Sequence, residues 1–189
     1  MNILITGSNG MVGQNFYKNL DKNKFQVYLT SRSKCNINLN NYFFQSDFEN
    51  NNTFKNLKNF VNPDIIIHCA AMTNVDLCET DKSRAFKINV ESTKSLLDTY
   101  YDKKIIYISS DAVFGSKDNN DLIDTPNPDN YYGLTKLKSE KIILQNSNNV
   151  VVRTTPIGFN YLNNSGFLNW ALPSLILKKS IKLFDDVYF

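Results

Sequence analysis

The chain has 189 residues, of which 42% are apolar and 21% charged, and its formal net charge is +3. That balance supplies enough apolar surface for a packed core and excludes wholesale disorder. No run approaches the roughly 18 apolar residues of a membrane span, and the scattered Lys and Arg form no basic stripe of the kind that grips nucleic acid.

In chain order, Asn2 to Thr6 is a short apolar run ending at a glycine and predicts a strand. Met11 to Leu20 follows as a helix, with Met11, Val12, Phe16 and Leu20 apolar. Phe25 to Thr30 predicts a second strand and Asn40 to Ser46 a weaker third. Asn51 to Phe60 places Phe54, Leu57 and Phe60 at helical spacing, and Asn62-Pro63 breaks the pattern. Ile65 to Cys69 is a nearly all-apolar strand, as expected when both faces are covered. Asp76 to Tyr101 contains a long helix whose apolar face includes Ala85, Ile88, Leu96 and Leu97. Lys104 to Ser109 is the next strand, Ser116 to Asn130 a polar surface loop, Tyr131 to Gln145 a helix and Asn149 to Arg153 a strand. Gly166 to Lys178 reads as a helix interrupted at Pro173, and Ile181 to Phe184 opens one more strand. Strands alternating with helices over short links predict an α/β fold: a doubly wound parallel sheet.

The amino terminus has no basic region before a long apolar stretch, so a secretory signal is not expected. Cys35, Cys69 and Cys78 form no CxxC pair and suit the reduced thiols of a cytoplasmic protein. Cys69 sits in an apolar run and is expected in the core. His68 lacks a ligand-spaced partner, so no metal site is expected.

Three constellations carry chemistry. The first is Thr6-Gly7-Ser8-Asn9-Gly10-Met11-Val12-Gly13, between a strand and a helix. Gly7 permits the tight turn, Gly10 lets backbone approach a pyrophosphate, and Gly13 allows close helix–strand packing. The helix start at Met11 and Val12 offers free N–H groups and a positive dipole end. The spacing is GxxGxxG, not GxGxxG. The second is Thr30-Ser31-Arg32-Ser33-Lys34, at the end of the second strand. An NAD site usually carries a carboxylate there for the ribose 2′-hydroxyl. None is present, and Arg32, with Ser31 and Lys34, would instead pair with a 2′-phosphate, so the expected cofactor is NADP, with NAD the alternative. The third is Ser109-Ser110-Asp111 at a strand end, followed by Tyr132 and Lys136 four residues apart on a helix. A nearby ammonium and a cofactor ribose would favour the phenolate, fitting Tyr132 for general acid–base work with Ser110 on the same substrate oxygen.

Together these stretches resemble the extended short-chain dehydrogenase/reductase superfamily, and within it the dTDP-4-dehydrorhamnose reductase group. The resemblance is carried by TGSNGMVG (Thr6–Gly13), HCAAMTNVDLCE (His68–Glu79), INVEST (Ile88–Thr93), ISSDAVFG (Ile108–Gly115), YYGLTKLKSE (Tyr131–Glu140) and VVRT (Val151–Thr154), in family order. It implies a Rossmann-type sheet and a reductase of a 4-keto nucleotide sugar in surface-polysaccharide synthesis. An epimerase on the same scaffold and a cofactor-binding module without turnover remain alternatives. It further implies that Gly7, Asn9, Gly10, Met11, Val12 and Gly13 cradle the cofactor with Ser31 and Arg32. Asp47 and Phe48 would meet the adenine, and Ala70 and Ala71 line the cofactor. Thr73, Asn74, Val75 and Ser110 would flank the substrate, Ser110, Tyr132 and Lys136 form the catalytic set, and Asn89 braces the sheet or the catalytic centre. Lys136 would also bind the cofactor ribose. Asp76 and Glu79 read as acids at a helix N-terminus. Ala112 stands where sugar-nucleotide dehydratases carry Glu, which argues against water elimination. Members of the group run on past this length. The expected organisation is therefore a dinucleotide-binding domain at 1–160 and, at 161–189, the start of a substrate-binding region that is largely missing. The family's habit of pairing implies a possible homodimer through the helices near 76–101 and 131–145.

Overall fold

A computed structural model of the protein describes residues 1–34, 42–50, 52–115, 125–162 and 166–181. Most of the expected strand at 181–184 and loop at 116–130, together with Cys35, lie outside the described residues.

Among the described residues six strands form one parallel sheet: β1 (Asn2–Thr6), β2 (Gln26–Ser31), β3 (Phe43–Gln45), β4 (Ile65–His68), β5 (Lys104–Ile108) and β6 (Val150–Val152). Their order is β3-β2-β1-β4-β5-β6, with Ile3 of β1 opposite Val27 on one side and Ile65 on the other. This is the Rossmann-type doubly wound fold expected from the alternating pattern. Successive residues of a strand face opposite ways, so Ile3 and Ile5 point to one side and Leu4 to the other. On the first side they join Val27, Leu29, Ile67 and Ile108 under α1 (Met11–Asn19), which contributes Val12 and Phe16. On the second, Leu4, Ile66, Ile105 and Tyr107 pack with Phe54 and Leu57 of α2 (Thr53–Phe60), Leu96 and Leu97 of α5 (Ser92–Thr99), and Ile143 of α6 (Tyr131–Ile143).

The single long helix expected within 76–101 is instead a series: α3 (Val75–Thr80), α4 (Lys82–Phe86), a π-helical turn (Lys87–Glu91) and α5. Asp81 makes the break. Its backbone, at φ −126° and ψ 69°, leaves the helical region, and its carboxylate caps the Arg84 amide at 3.1 Å to start a new helix. Apolar spacing persists across such a restart, so periodicity alone does not reveal it. The last described helix, α7 (Phe167–Ile176), contains Pro173 and buries only Ala171. No helix among the described residues is long and apolar enough to cross a membrane.

Strand order reverses between β1 and β4. In open α/β sheets the crevice beyond the carboxyl ends of such a strand pair is where ligands bind.

Candidate functional site

The crevice is built first by the turn that leaves β1. Gly7 has φ +65°, and a Cβ there would lie 2.7 Å from the Ala70 backbone, so only glycine fits. A Cβ on Gly13 would lie 2.6 Å from the Gly7 carbonyl, which seats α1 directly on the turn. Gly10 is different: its nearest neighbour would be 3.2 Å away, and it is exposed. Gly10 opens α1 without a side-chain cap, and the first turn carries no acid. Among the described residues no acceptor meets the amides of Met11, Val12 and Gly13. Free amides at a positive helix end fit an anion such as a pyrophosphate. Asn9 holds the neighbouring loop in place, its Nδ2 donating to the Ser33 carbonyl and Oγ, both at 3.0 Å.

A cleft of about 680 Å³ opens over this turn. Gly7, Asn9, Gly10, Met11, Val12 and Gly13 form one side, and Ser31, Arg32, Asp47 and Phe48 one end. Ala70, Ala71, Thr73 and Asn74 form the wall after β4, and Tyr132 reaches it from α6. Val75, Ser110 and Lys136 do not line it: Val75 is exposed at the start of α3, while Ser110 and Lys136 are buried. Cys69, expected in the core, packs against the cluster under α1 and also borders the cleft. Burial pushes its thiol up to about 12, against a smaller opposing effect of the Lys136 charge, so it stays protonated. Arg84 and Glu49 also border the cleft, joined by an ion pair at 2.8 Å. The sequence carried no signal for them, since charges in a polar helix and a turn read as solvated. A second, more apolar groove of about 510 Å³ runs along α1 beside Ile157 and Gly158, with Asn15 and Asn19 as its polar side chains among the described residues. The first cleft, with its open amides and phenol, is therefore the candidate site.

Ser110 follows β5 and caps a 3-10 turn (Asp111–Val113), its Oγ accepting the Ala112 amide at 3.2 Å and donating to Asp111 Oδ1 at 2.8 Å. Asn130 caps α6 through the Gly133 amide at 2.8 Å. A Cβ on Gly133 would lie 2.1 Å from the Ala112 carbonyl, so this first turn of α6 rests on the Ser110 turn with no side chain between. Tyr132 is thereby brought beside Ser110. Burial raises the Tyr132 pKa above the ordinary phenol value, the neighbouring Ser110 hydroxyl lowers it, and the Asp111 charge raises it again. One turn on, Lys136 points the other way: Nζ donates to the Ile108 carbonyl at 2.7 Å and lies 4.1 Å from the centre of the Tyr107 ring. Burial lowers its pKa to about 7, with the Cys69 and Glu140 charges opposing.

Behind the cleft, Asn89 clamps the wall from the π turn. Its Oδ1 accepts the Met72 amide at 2.7 Å, and its Nδ2 donates to the Met72 carbonyl at 3.1 Å and to Thr135 Oγ1 at 2.9 Å. Glu140 and Arg153 tie α6 to the end of β6 at 2.7 Å. Of the two acids expected at a helix start, only Asp76 lies in the first turn of α3. Glu79 is at the far end, where its carboxylate accepts the Tyr131 amide of α6, because α3 ends after one and a half turns beside α6.

The sequence model of the family described as the RmlD substrate binding domain matches residues 1–188. The methionine adenosyltransferase 2 subunit beta of Bos taurus is 32% identical over 162 residues, 82% of this chain and 46% of its own length. The chain thus spans about half the length of the curated relatives it matches. Among solved structures, a hypothetical dTDP-4-dehydrorhamnose reductase from Sulfolobus tokodaii is 36% identical with a TM-score of 0.72, over 84% of this chain and 57% of that one. The dTDP-4-dehydrorhamnose reductase of Bacillus anthracis in complex with NADP is 27% identical with the same score, over 86% and 56%.

Proposed function

The chain belongs to the RmlD substrate binding domain family, and from that membership we propose that it is an NADP-dependent reductase of a 4-keto nucleotide sugar, of the kind that feeds surface-polysaccharide synthesis. One observation carries the reading: the glycine turn and the Tyr132 phenol border a single cleft.

The cleft suits a dinucleotide on its own terms. The open amides at Met11 to Gly13 and the narrow cradle at Gly7 and Gly10 fit a pyrophosphate. Arg32, at the cleft's edge, supplies a charge for a 2′-phosphate, and Asp47 and Phe48 border the adenine end. Ala70 and Ala71 offer small side chains against the cofactor. When bound, NADPH supplies hydride to the keto carbon. Tyr132 gives its phenolic proton to the carbonyl oxygen, and Ser110, beside it, orients the same oxygen. Thr73 and Asn74 face the sugar, with Val75 at the margin. Lys136 holds α6 to the end of β5 from behind; to meet the cofactor ribose its ammonium would have to leave the Ile108 carbonyl and turn into the cleft.

We assign residues 1–160 to the dinucleotide-binding domain and 161–189 to the start of the substrate-binding region, which fits the exposed apolar side chains Phe167, Trp170 and Leu175 of α7. We place the protein in the cytoplasm, as a homodimer through the helices within 76–101 and 131–145.

The test is Tyr132→Phe. Loss of keto-sugar-dependent NADPH oxidation, with NADP still raising the melting temperature, is the expected result. Undiminished oxidation removes Tyr132 from the role.

A second reading is a cofactor-binding module without turnover. Two observations favour it: Lys136 is turned from the cleft onto the Ile108 carbonyl, and a relative 32% identical to the chain is itself named as a subunit. Binding of NADP with no oxidation toward any keto nucleotide sugar would establish it.

A further inference from the structure

We propose that Glu79 is a positioning residue for Tyr132: it fixes the first turn of α6 by holding the Tyr131 amide from a neighbouring helix.

The first amides of a helix have no partner within it, and how they are satisfied fixes the entry of the helix. In α6 the local cap, Asn130, takes only the Gly133 amide. The Tyr131 amide goes instead to Glu79, 52 residues earlier in the chain. The second oxygen of that carboxylate pairs with Lys82 at 3.2 Å, and the Lys82 ammonium lies 5.4 Å from the centre of the Tyr131 ring. Lys82 thus holds the carboxylate from outside and covers the ring beside it. An exposed ion pair alone contributes little; here it orients an acceptor for a backbone donor.

A second grip lies one turn further on, where Asn89 Nδ2 donates to Thr135 Oγ1 at 2.9 Å. Tyr132 is bracketed by these two points. Both lead back to the cleft wall after β4: Asn89 clamps Met72 directly, and α3, which carries Glu79, is tied to the Met72 carbonyl through Cys78 Sγ at 3.4 Å. One point of attachment lets a helical turn pivot; two points four residues apart fix its rotation and its height. Gly133 against the Ala112 carbonyl, Lys136 on the Ile108 carbonyl and Ser139 on the Asn89 carbonyl hold the later turns; the α3–α6 bond holds the residue next to Tyr132 and so sets where the phenol points, although Glu79 is exposed and lies outside the cleft lining.

The inference rests on the proposed role of Tyr132, but its test does not require turnover. 3-Fluorotyrosine is placed at position 132 of the full chain, and ¹⁹F spectra are compared for the parent, Glu79→Ala and Glu79→Gln. Expected is a resonance displaced by more than its linewidth in Glu79→Ala and unmoved in Glu79→Gln, whose amide oxygen still accepts from Tyr131. A Glu79→Ala resonance superimposed on the parent's overturns the inference, and so does an equal displacement in Glu79→Gln. If Glu79→Ala does not fold, Glu79→Asp, one methylene short of the amide, is read in its place. In a turnover assay Glu79→Ala lowers kcat about tenfold at unchanged KM for the dinucleotide; a change confined to KM overturns the inference. A chain with no turnover counts against the reductase reading alone, and the resonance then decides this one.

Discussion

Thr6 Oγ1 lies 2.6 Å from Nδ1 of His68, between the strand that feeds the glycine turn and its neighbour. The surrounding bonds fix the proton positions. Thr93 gives its only hydroxyl proton to the Asn89 carbonyl at 2.6 Å, so at 3.1 Å it accepts from His68 Nε2. His68 is therefore the Nε2–H tautomer, Thr6 donates to Nδ1, and Thr6 Oγ1 accepts the Ala70 amide at 3.2 Å. One run of bonds joins the turn, the cleft wall and the π turn that holds Asn89, with every member satisfied.

That run leaves no place for a charged imidazole. Burial, and secondarily the Lys136 charge, lowers the His68 pKa to about 3. From the ordinary histidine value of 6.5 down to about 3, the unfolded chain takes up a proton that the folded chain refuses. The contribution of His68 is therefore complete above pH 6.5 and falls as the pH drops through this window, by up to ~1.4 kcal/mol per pH unit. The sequence has one histidine, so its ring signals are unambiguous in an NMR titration. They are expected to keep the Nε2–H pattern from pH 8 to pH 5; a midpoint near 6.5 would contradict the buried network.

The three glycines of the turn should separate by experiment. Gly7→Ala places a Cβ 2.7 Å from the Ala70 backbone at φ +65°, and Gly13→Ala places one 2.6 Å from the Gly7 carbonyl. Each is expected to destabilise the fold by about 1–3 kcal/mol, seen in thermal melts without ligand. Gly10→Ala meets only the Gly7 carbonyl at 3.2 Å. It should melt close to the parent yet lose most of the stabilisation by NADP, because its methyl group enters the space beside the open amides. Equal melting losses in all three would remove this distinction.

Arg32 borders the cleft where β2 ends, and no carboxylate stands between Thr30 and Lys34. Arg32→Ala is expected to weaken NADP about tenfold and leave NAD nearly unchanged, the effect of one charge-assisted hydrogen bond to phosphate. Isothermal titration with both dinucleotides measures the ratio. A parallel loss for the two would assign Arg32 to general attraction of anions.

Much of the fold was legible because its signals are local. Ile65-Ile66-Ile67 announces a strand covered on both faces, and the glycines between Thr6 and Val12 announce a strand-to-helix turn. What stayed hidden depends on partners distant in sequence. Asp81 restarts a helix within a continuous apolar pattern. Glu79 looks like a dipole-friendly acid of its own helix and instead caps another. Lys136 has the spacing of a cleft residue, but the helix rotation that carries Tyr132 to the cleft turns Lys136 toward the Ile108 carbonyl. Four-residue spacing places two side chains on one face of a helix; it does not say how far along that face the cleft extends.

Lys136 gives the last prediction, because its position has a sign. Burial lowers its pKa from 10.5 to about 7, so between these values the unfolded chain holds a proton that the folded chain has released. Stability must then rise with pH from 7 upward. Cys69 acts in the opposite sense above pH 9: its thiol ionises near 9 when unfolded and is pushed up to about 12 in the fold, and the raised Cys78 thiol adds to this. The window in which Lys136 dominates is thus pH 7 to 9, with a rise of up to ~1.4 kcal/mol per unit. The parent is expected to melt at higher temperature at pH 8.5 than at pH 7, and Lys136→Met, which keeps the apolar stem without the charge, should lose that rise. If the parent shows no rise, the ammonium is solvated and lies in the cleft, where the family pattern would put it against a ribose. The melting profile therefore distinguishes two positions of one side chain: behind the floor of the site, or within it.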